Sequence, residues 1–182
     1  MALKNAKNME FNPLLYNEKY RIQTNRLTDM AYGEGFYHVV VCTKDRRYYL
    51  GNIYDDEMHY SLVGGYAKHN IEQLAQHYTD VIIHSFQVMP NHIHLLLQIL
   101  PSEKDIQLNA FGKTGRLGVI IRGLKSAVSK WANEQNIEFG WQSRYYDTVI
   151  RHPDQYSETD YYIQNNVLRW SEDKLHLPTV EP

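Results

Sequence analysis

The stretch VIIHSFQV-MPN-HIHLLLQI, from Val81 to Ile99, decides how this chain folds. Two apolar runs of eight residues flank Met89-Pro90-Asn91, a turn signal. Both runs are short and rich in β-branched or bulky apolar residues, so they predict two strands, 81–88 and 92–99, paired as a hairpin. Upstream, Phe36 to Thr43 is again β-branched and aromatic and predicts a strand. Lys44 to Arg47 reads as a turn, and Tyr48 to Tyr54 as a second strand pairing back on the first. Between these and the hairpin, Ile71, Leu74 and Tyr78 fall at i, i+3 and i+7, which predicts a helix over 63–78. Asn70 offers the alternative of capping a shorter one.

Downstream, Pro101 to Asn109 reads as a polar loop. Leu117, Ile120, Ile121, Leu124, Val128 and Trp131 form one apolar stripe and predict an amphipathic helix over 117–131. Trp141 to Ile150 reads as extended. His152-Pro153-Asp154 opens a last helix, expected to run from Asp154 to Trp170. The order is βαββαβ followed by a helix. That order predicts an α+β fold: a ferredoxin-like split βαβ core with an antiparallel sheet, helices on one face, and a C-terminal helix added. The expected organisation is an N-terminal arm over 1–34, a single domain over 35–170, and a tail over 171–182 that frays.

Composition narrows the function classes. The chain has 182 residues, 43% hydrophobic and 22% charged, so it can bury a core and is not a disordered chain. Its longest apolar stretch, Val81 to Leu100, is interrupted by His84, Pro90, Asn91, His92 and His94, so no membrane span is expected. The first residues lack the apolar centre of a signal peptide, and one cysteine, Cys42, excludes an intrachain disulfide and a cysteine zinc cage. The expected location is the cytosol. A net charge of −2 argues against a general coat for duplex DNA.

Two short motifs carry chemistry. In Asn91-His92-Ile93-His94 the histidines stand at i and i+2 of a strand and share one face, with Ile93 turned to the core. Two adjacent imidazoles form half of a divalent-metal site. In Asp160-Tyr161-Tyr162-Ile163-Gln164-Asn165-Asn166, two Tyr-x-x-x-Asn pairs overlap. Residues i and i+4 share a helix face, so either pair can present a hydroxyl and a carboxamide together. The helical wheel puts Tyr156, Ile163, Val167 and Trp170 on the buried face. Tyr162 and Asn166 then lie on its flank, within reach of a sheet edge, while Tyr161 and Asn165 point to solvent.

Taken together, Val88 to Leu97, Trp141-Gln142-Ser143-Arg144-Tyr145-Tyr146-Asp147 and Tyr162 to Asn166 resemble the signature blocks of the single-tyrosine HUH transposases, in particular the REP-associated tyrosine transposase branch. The resemblance spans about Gly35 to Trp170. It implies a metal-dependent single-stranded DNA endonuclease and strand transferase acting at hairpins. By position it makes His92, His94 and Asn166 ligands of Mg²⁺ or Mn²⁺, and Tyr162 the nucleophile that forms a 5′-phosphotyrosine. Val167 departs from the family pattern, where proline often follows the asparagine, and Thr148 stands where some relatives carry histidine. No general base is evident for a phenol whose ordinary pKa is near 10.

From Gly112 to Ala132 the sequence holds Lys113, Arg116, Arg122, Lys125 and Lys130 and no acidic residue, a candidate phosphate-binding stripe. Arg144, with Arg46 and Arg47, would add to it. Trp141, Tyr145 and Tyr146 offer faces for stacking unpaired bases. Two alternatives stand beside this reading: a catalytically silent DNA- or RNA-binding descendant of the same fold, and a hydrolytic metalloenzyme using the histidine pair. Monomer and homodimer are both compatible with the sequence.

Overall fold

A computed structural model describes residues 34–101 and 115–176. The chain runs β1 (Gly35–Cys42), β2 (Gly51–Tyr54), β3 (Glu57–Tyr60), α1 (Leu62–Glu72), α2 (Leu74–His77), β4 (Val81–Val88), β5 (His92–Ile99), α3 (Arg116–Glu134), β6 (Tyr146–Ile150) and α4 (Pro153–Gln164). Four strands form one sheet in the order β4-β5-β1-β6, every neighbouring pair antiparallel. This is the ferredoxin-like arrangement expected from the sequence, with β1 and β5 at its centre.

Strand alternation divides the sheet into two faces. Val39, Val41, Ile93, Leu95 and Leu97 turn to one face, where they meet Val63, Ala67 and Ile71 of α1 and Leu117, Ile120, Ile121, Leu124 and Val128 of α3. The apolar stripe of α3 is therefore the core stripe that its 3.6-residue period announces. The other face carries His92, His94 and Leu96. There Leu96 and Ile150 pack against Ile163 of α4, with Phe36 and Tyr156 at the margin. Because β5 is covered on both faces, seven of its eight residues are buried.

Four expectations change. Tyr48 to Tyr54 does not pair with β1: Gly51–Tyr54 pairs with Glu57–Tyr60 in a separate two-stranded hairpin. Its turn residues, Asp55 (φ 53°) and Asp56 (φ 58°), are both left-handed, the conformation of a tight hairpin turn that aspartate tolerates. The helix expected over 63–78 breaks at Gln73 into α1 and α2. Ser61, not Asn70, caps it, accepting from the Gly64 amide at 3.0 Å, while Asn70 bonds back to the Tyr66 carbonyl. Gly64 packs against the Leu50 backbone so closely that a β-carbon there would collide with it.

The last helix also ends earlier than expected, at Gln164. The Asn165 side chain donates to the Tyr161 carbonyl at 2.8 Å, competing with the helix's own ladder. Tight turns follow, closed by Arg169 N to Asn166 O (3.2 Å) and Trp170 N to Val167 O (3.2 Å), and a 3₁₀ turn spans Trp170–Glu172. Residues 171–176, expected to fray, fold back instead: the Leu175 carbonyl accepts from Asn91 Nδ2 at 2.8 Å.

Candidate active site

The histidine face of the sheet and the end of α4 meet in one cluster of side chains. In the β1–β5 register Val40 pairs with His94 and Cys42 with His92. Both rings are buried, His92 completely and His94 at 3% exposure. Their Nε2 atoms lie 2.9 Å apart, aimed at a common point. His92 Nδ1 faces Asn91 Oδ1 at 2.7 Å, and His94 Nδ1 faces Nε2 of His38 from β1 at 3.1 Å.

α4 supplies the tyrosine. Tyr161 is 67% exposed and Tyr162 40%, so Tyr162 is the residue turned toward the sheet. Its ring meets the His94 ring edge-on, centroids 5.3 Å apart. Asn166, just past the helix end, is 2% exposed, and its Nδ2 finds no hydrogen-bond partner among the described residues. Such an orphaned amide is costly unless something fills its surroundings. A half-turn of the carboxamide would present its oxygen instead.

The sequence reading missed Asp173. The turns after α4 carry it back so that Tyr162 Oη donates to Asp173 Oδ2 at 3.3 Å. The same oxygen lies 3.8 Å from His92 Nε2, and Asp173 Oδ1 accepts from the Leu175 amide at 2.6 Å. His92, His94 and Asp173 each offer a ligand atom, all within 4.8 Å of one another. Two imidazole nitrogens, a carboxylate oxygen and a nearby orphaned amide fit a divalent cation in both number and type.

Burial sets the electrostatics. It pushes His92 down to about 4 against the opposing pull of Asp173, with the Arg46 charge adding to the fall. His94 is held well below its ordinary value by burial and by its two histidine neighbours, and His38 is pushed down to about 4 by burial. These rings are therefore neutral at pH 7, the form with a lone pair to give. The Tyr162 phenol is pushed up, first by burial and then by the negative charge of Asp173, while the nearby Asn166 side chain pulls the other way.

The expected DNA-contacting cations scatter. Arg116 is forked onto Asp80, with Nε to Oδ2 at 2.6 Å, and covers the Tyr78 ring. Lys125 Nζ donates to the Gln142 carbonyl at 2.6 Å and ties α3 to the 142–143 segment. Arg122 and Lys130 are exposed on one ridge of α3, with Glu134 at 3.8 Å from Lys130. That ridge lies across the sheet from His92 and His94. Arg144 is exposed, and Lys113 lies outside the described residues. Trp141 donates its Nε1 to the Lys125 carbonyl at 3.1 Å and packs on the main core with Tyr145, whereas Tyr146 is exposed.

These features define an α+β protein in which a histidine pair on a ferredoxin-like sheet meets a tyrosine-bearing helix. Residues 32–166 match the family described as Transposase IS200 like, and the chain belongs to that family. It is 32% identical over 155 residues to an uncharacterized protein of Haemophilus influenzae, covering 79% of this chain and 86% of that one. Its fold is similar to that of a REP-associated tyrosine transposase solved bound to a REP hairpin: TM-score 0.55 at 19% identity, over 87% of this chain and 77% of that one. Among the described residues no helix is long and apolar enough to cross a membrane.

Proposed function

We propose that this chain cuts and rejoins single-stranded DNA beside hairpins, through a 5′-phosphotyrosine on Tyr162. One observation carries the reading: the Tyr162 hydroxyl is hydrogen-bonded to the carboxylate that clusters with His92 and His94, so the tyrosine adjoins the buried ligand set. His92, His94, Asp173 and the Asn166 carboxamide oxygen would hold a divalent ion, Mg²⁺ or Mn²⁺, which would supply Lewis-acid polarisation of the scissile phosphate.

The residues do the rest. Tyr162 Oη attacks phosphorus, forming the Oη–P bond as the P–O3′ bond breaks. Asp173 Oδ2 orients the hydroxyl and accepts its proton, which passes to the departing 3′ oxygen. A tyrosyl phosphodiester replaces a DNA phosphodiester, so a 3′-hydroxyl can reverse the step without an external energy source. Arg46, whose charge reaches His92, offers a cation for the phosphate. Hairpin recognition comes from the relative solved on a REP hairpin, and a cytosolic location follows from this substrate.

The test is a covalent-adduct assay with single-stranded hairpin oligonucleotides from repeats flanking the gene, protein and Mn²⁺, read on a denaturing gel. A shifted protein band that disappears with Tyr162→Phe and with chelator supports the reading. Tight hairpin binding with no adduct would replace it with a catalytically silent DNA-binding descendant.

A further inference from the structure

His38 has no part in the mechanism above, yet it is built into the site. It stands on β1 on the same sheet face as His94, its own pairing partner on β5 being Leu96. The His38 and His94 rings stack with centroids 5.3 Å apart at 26°, and His38 Nε2 lies 3.1 Å from His94 Nδ1. The inward-facing nitrogens of the ligand pair are both Nε2. A neutral imidazole carries one hydrogen, so a ring giving its Nε2 lone pair to a cation must carry that hydrogen on Nδ1.

For His92 the Nδ1 hydrogen has an acceptor in Asn91 Oδ1, whose amide is oriented by donating its nitrogen to the Leu175 carbonyl. For His94 the group standing at Nδ1 is His38 Nε2. His38 therefore lies behind the His94 ring, and the ligand cluster is made without it. We propose that His38 is the positioning residue of His94: its Nε2 accepts the Nδ1 hydrogen, which fixes the His94 ring and leaves Nε2 open to the cation. The inference rests on the metal reading given under the proposed function. It assigns the two ligand histidines different outer partners, an amide oxygen for one and an imidazole for the other. Partners of this kind are worth about 10- to 100-fold in metal affinity.

The test is Mn²⁺ titration by calorimetry at pH 8 on the whole chain, as wild type, His38→Leu and His38→Gln, with circular dichroism confirming that each is folded. His38→Leu removes the acceptor and is expected to weaken Mn²⁺ binding by about 10- to 100-fold. His38→Gln keeps an acceptor oxygen and is expected to recover most of that loss. Nitrogen modulation in the Mn²⁺ spin-echo spectrum is expected to show two imidazoles in wild type and in the Gln variant, and a weakened second one in the Leu variant. If wild type binds Mn²⁺ and His38→Leu binds equally well, the inference falls while the metal reading stands. If the Leu and Gln variants lose affinity alike, His38 serves packing only and the inference falls. If wild type binds no Mn²⁺, the metal reading falls and takes the inference with it.

Discussion

In the proposed reaction Tyr162 and Asp173 divide the work that the phenol cannot do alone. Burial and the neighbouring carboxylate hold the hydroxyl protonated, so the group that raises its pKa is also the group placed to take its proton. Asp173→Asn is expected to slow adduct formation by about 10²- to 10⁴-fold, the usual worth of a positioned proton acceptor, and to weaken Mn²⁺ binding. Single-turnover assays over a range of Mn²⁺ concentrations separate the two effects, and an unchanged rate at saturating Mn²⁺ would remove the base assignment. The histidines give a second prediction. His38 and His92 are pushed down to about 4 by burial, whereas unfolded histidine titrates near 6.5. Below pH 6.5 the unfolded chain binds more protons than the folded one, so stability present above 6.5 is lost as pH falls toward 4. The slope is up to about 1.4 kcal/mol per pH unit for each ring. Melting in EDTA from pH 7.5 to 4.5 is expected to show a falling midpoint, shallower in His38→Gln. At this scale the placements of His92, His94 and Tyr162 were legible from the sequence, because strand and helix periods say which neighbours share a face. His38 and Asp173 were not. His38 meets His94 across 56 residues of sequence, and Asp173 meets Tyr162 through a chain reversal.

That reversal belongs to the element scale. Had α4 continued, the 1.5 Å rise per residue would have carried Asp173 about 16 Å along the axis beyond Tyr162. The helix instead stops at Gln164, and the turns bring the carboxylate back to the phenol. Apolar spacing gave no sign of this, since Val167 and Trp170 continue the helical pattern; the signal lay in the Asn165-Asn166 pair, whose side chains compete with backbone ladders. The β2–β3 hairpin was hidden for a related reason, since Asp55-Asp56 lacks the glycine that usually marks a tight hairpin turn. β5, by contrast, announced itself through a long apolar run buried on both faces. A paired substitution in α1 tests how tightly these elements meet. A β-carbon at Gly64 would collide with the Leu50 backbone, whereas at Gly65 it would meet nothing within 4 Å. Gly64→Ala is expected to cost about 1–3 kcal/mol and Gly65→Ala to gain about 0.5–1 kcal/mol. Thermal melting reads both, and equal midpoints for the two variants would contradict the packing described.

At the scale of the whole molecule the sheet is a partition. The groups proposed to react occupy one face with α4, while the exposed Arg122–Lys130 ridge belongs to α3 on the other. With a net charge of −2 the chain has no uniform field to hold DNA, so the placement of each cation decides its use. Arg116 and Lys125, which the sequence grouped with the ridge, are occupied by Asp80 and by backbone carbonyls. In the proposed reaction a hairpin reaching the ridge would pass an edge of the sheet, so binding there would hold a remote part of the DNA and leave the reacting phosphate unaffected. The charge of Arg46 acts on His92. The combined change Arg122→Gln with Lys130→Gln is therefore expected to leave the adduct rate at saturating DNA within about twofold of wild type, and any effect to appear in affinity. For every phosphate that the ridge no longer neutralises, the salt slope of binding falls by about 0.7 to 0.9. Arg46→Gln is expected to do the reverse, lowering the saturated rate several-fold with little change in hairpin affinity. The two variants, compared in binding titrations and single-turnover assays over a salt series, decide between a partitioned and a continuous DNA path. A fall in saturated rate for the α3 ridge variant would mean that DNA held on the far face also positions the strand being cut.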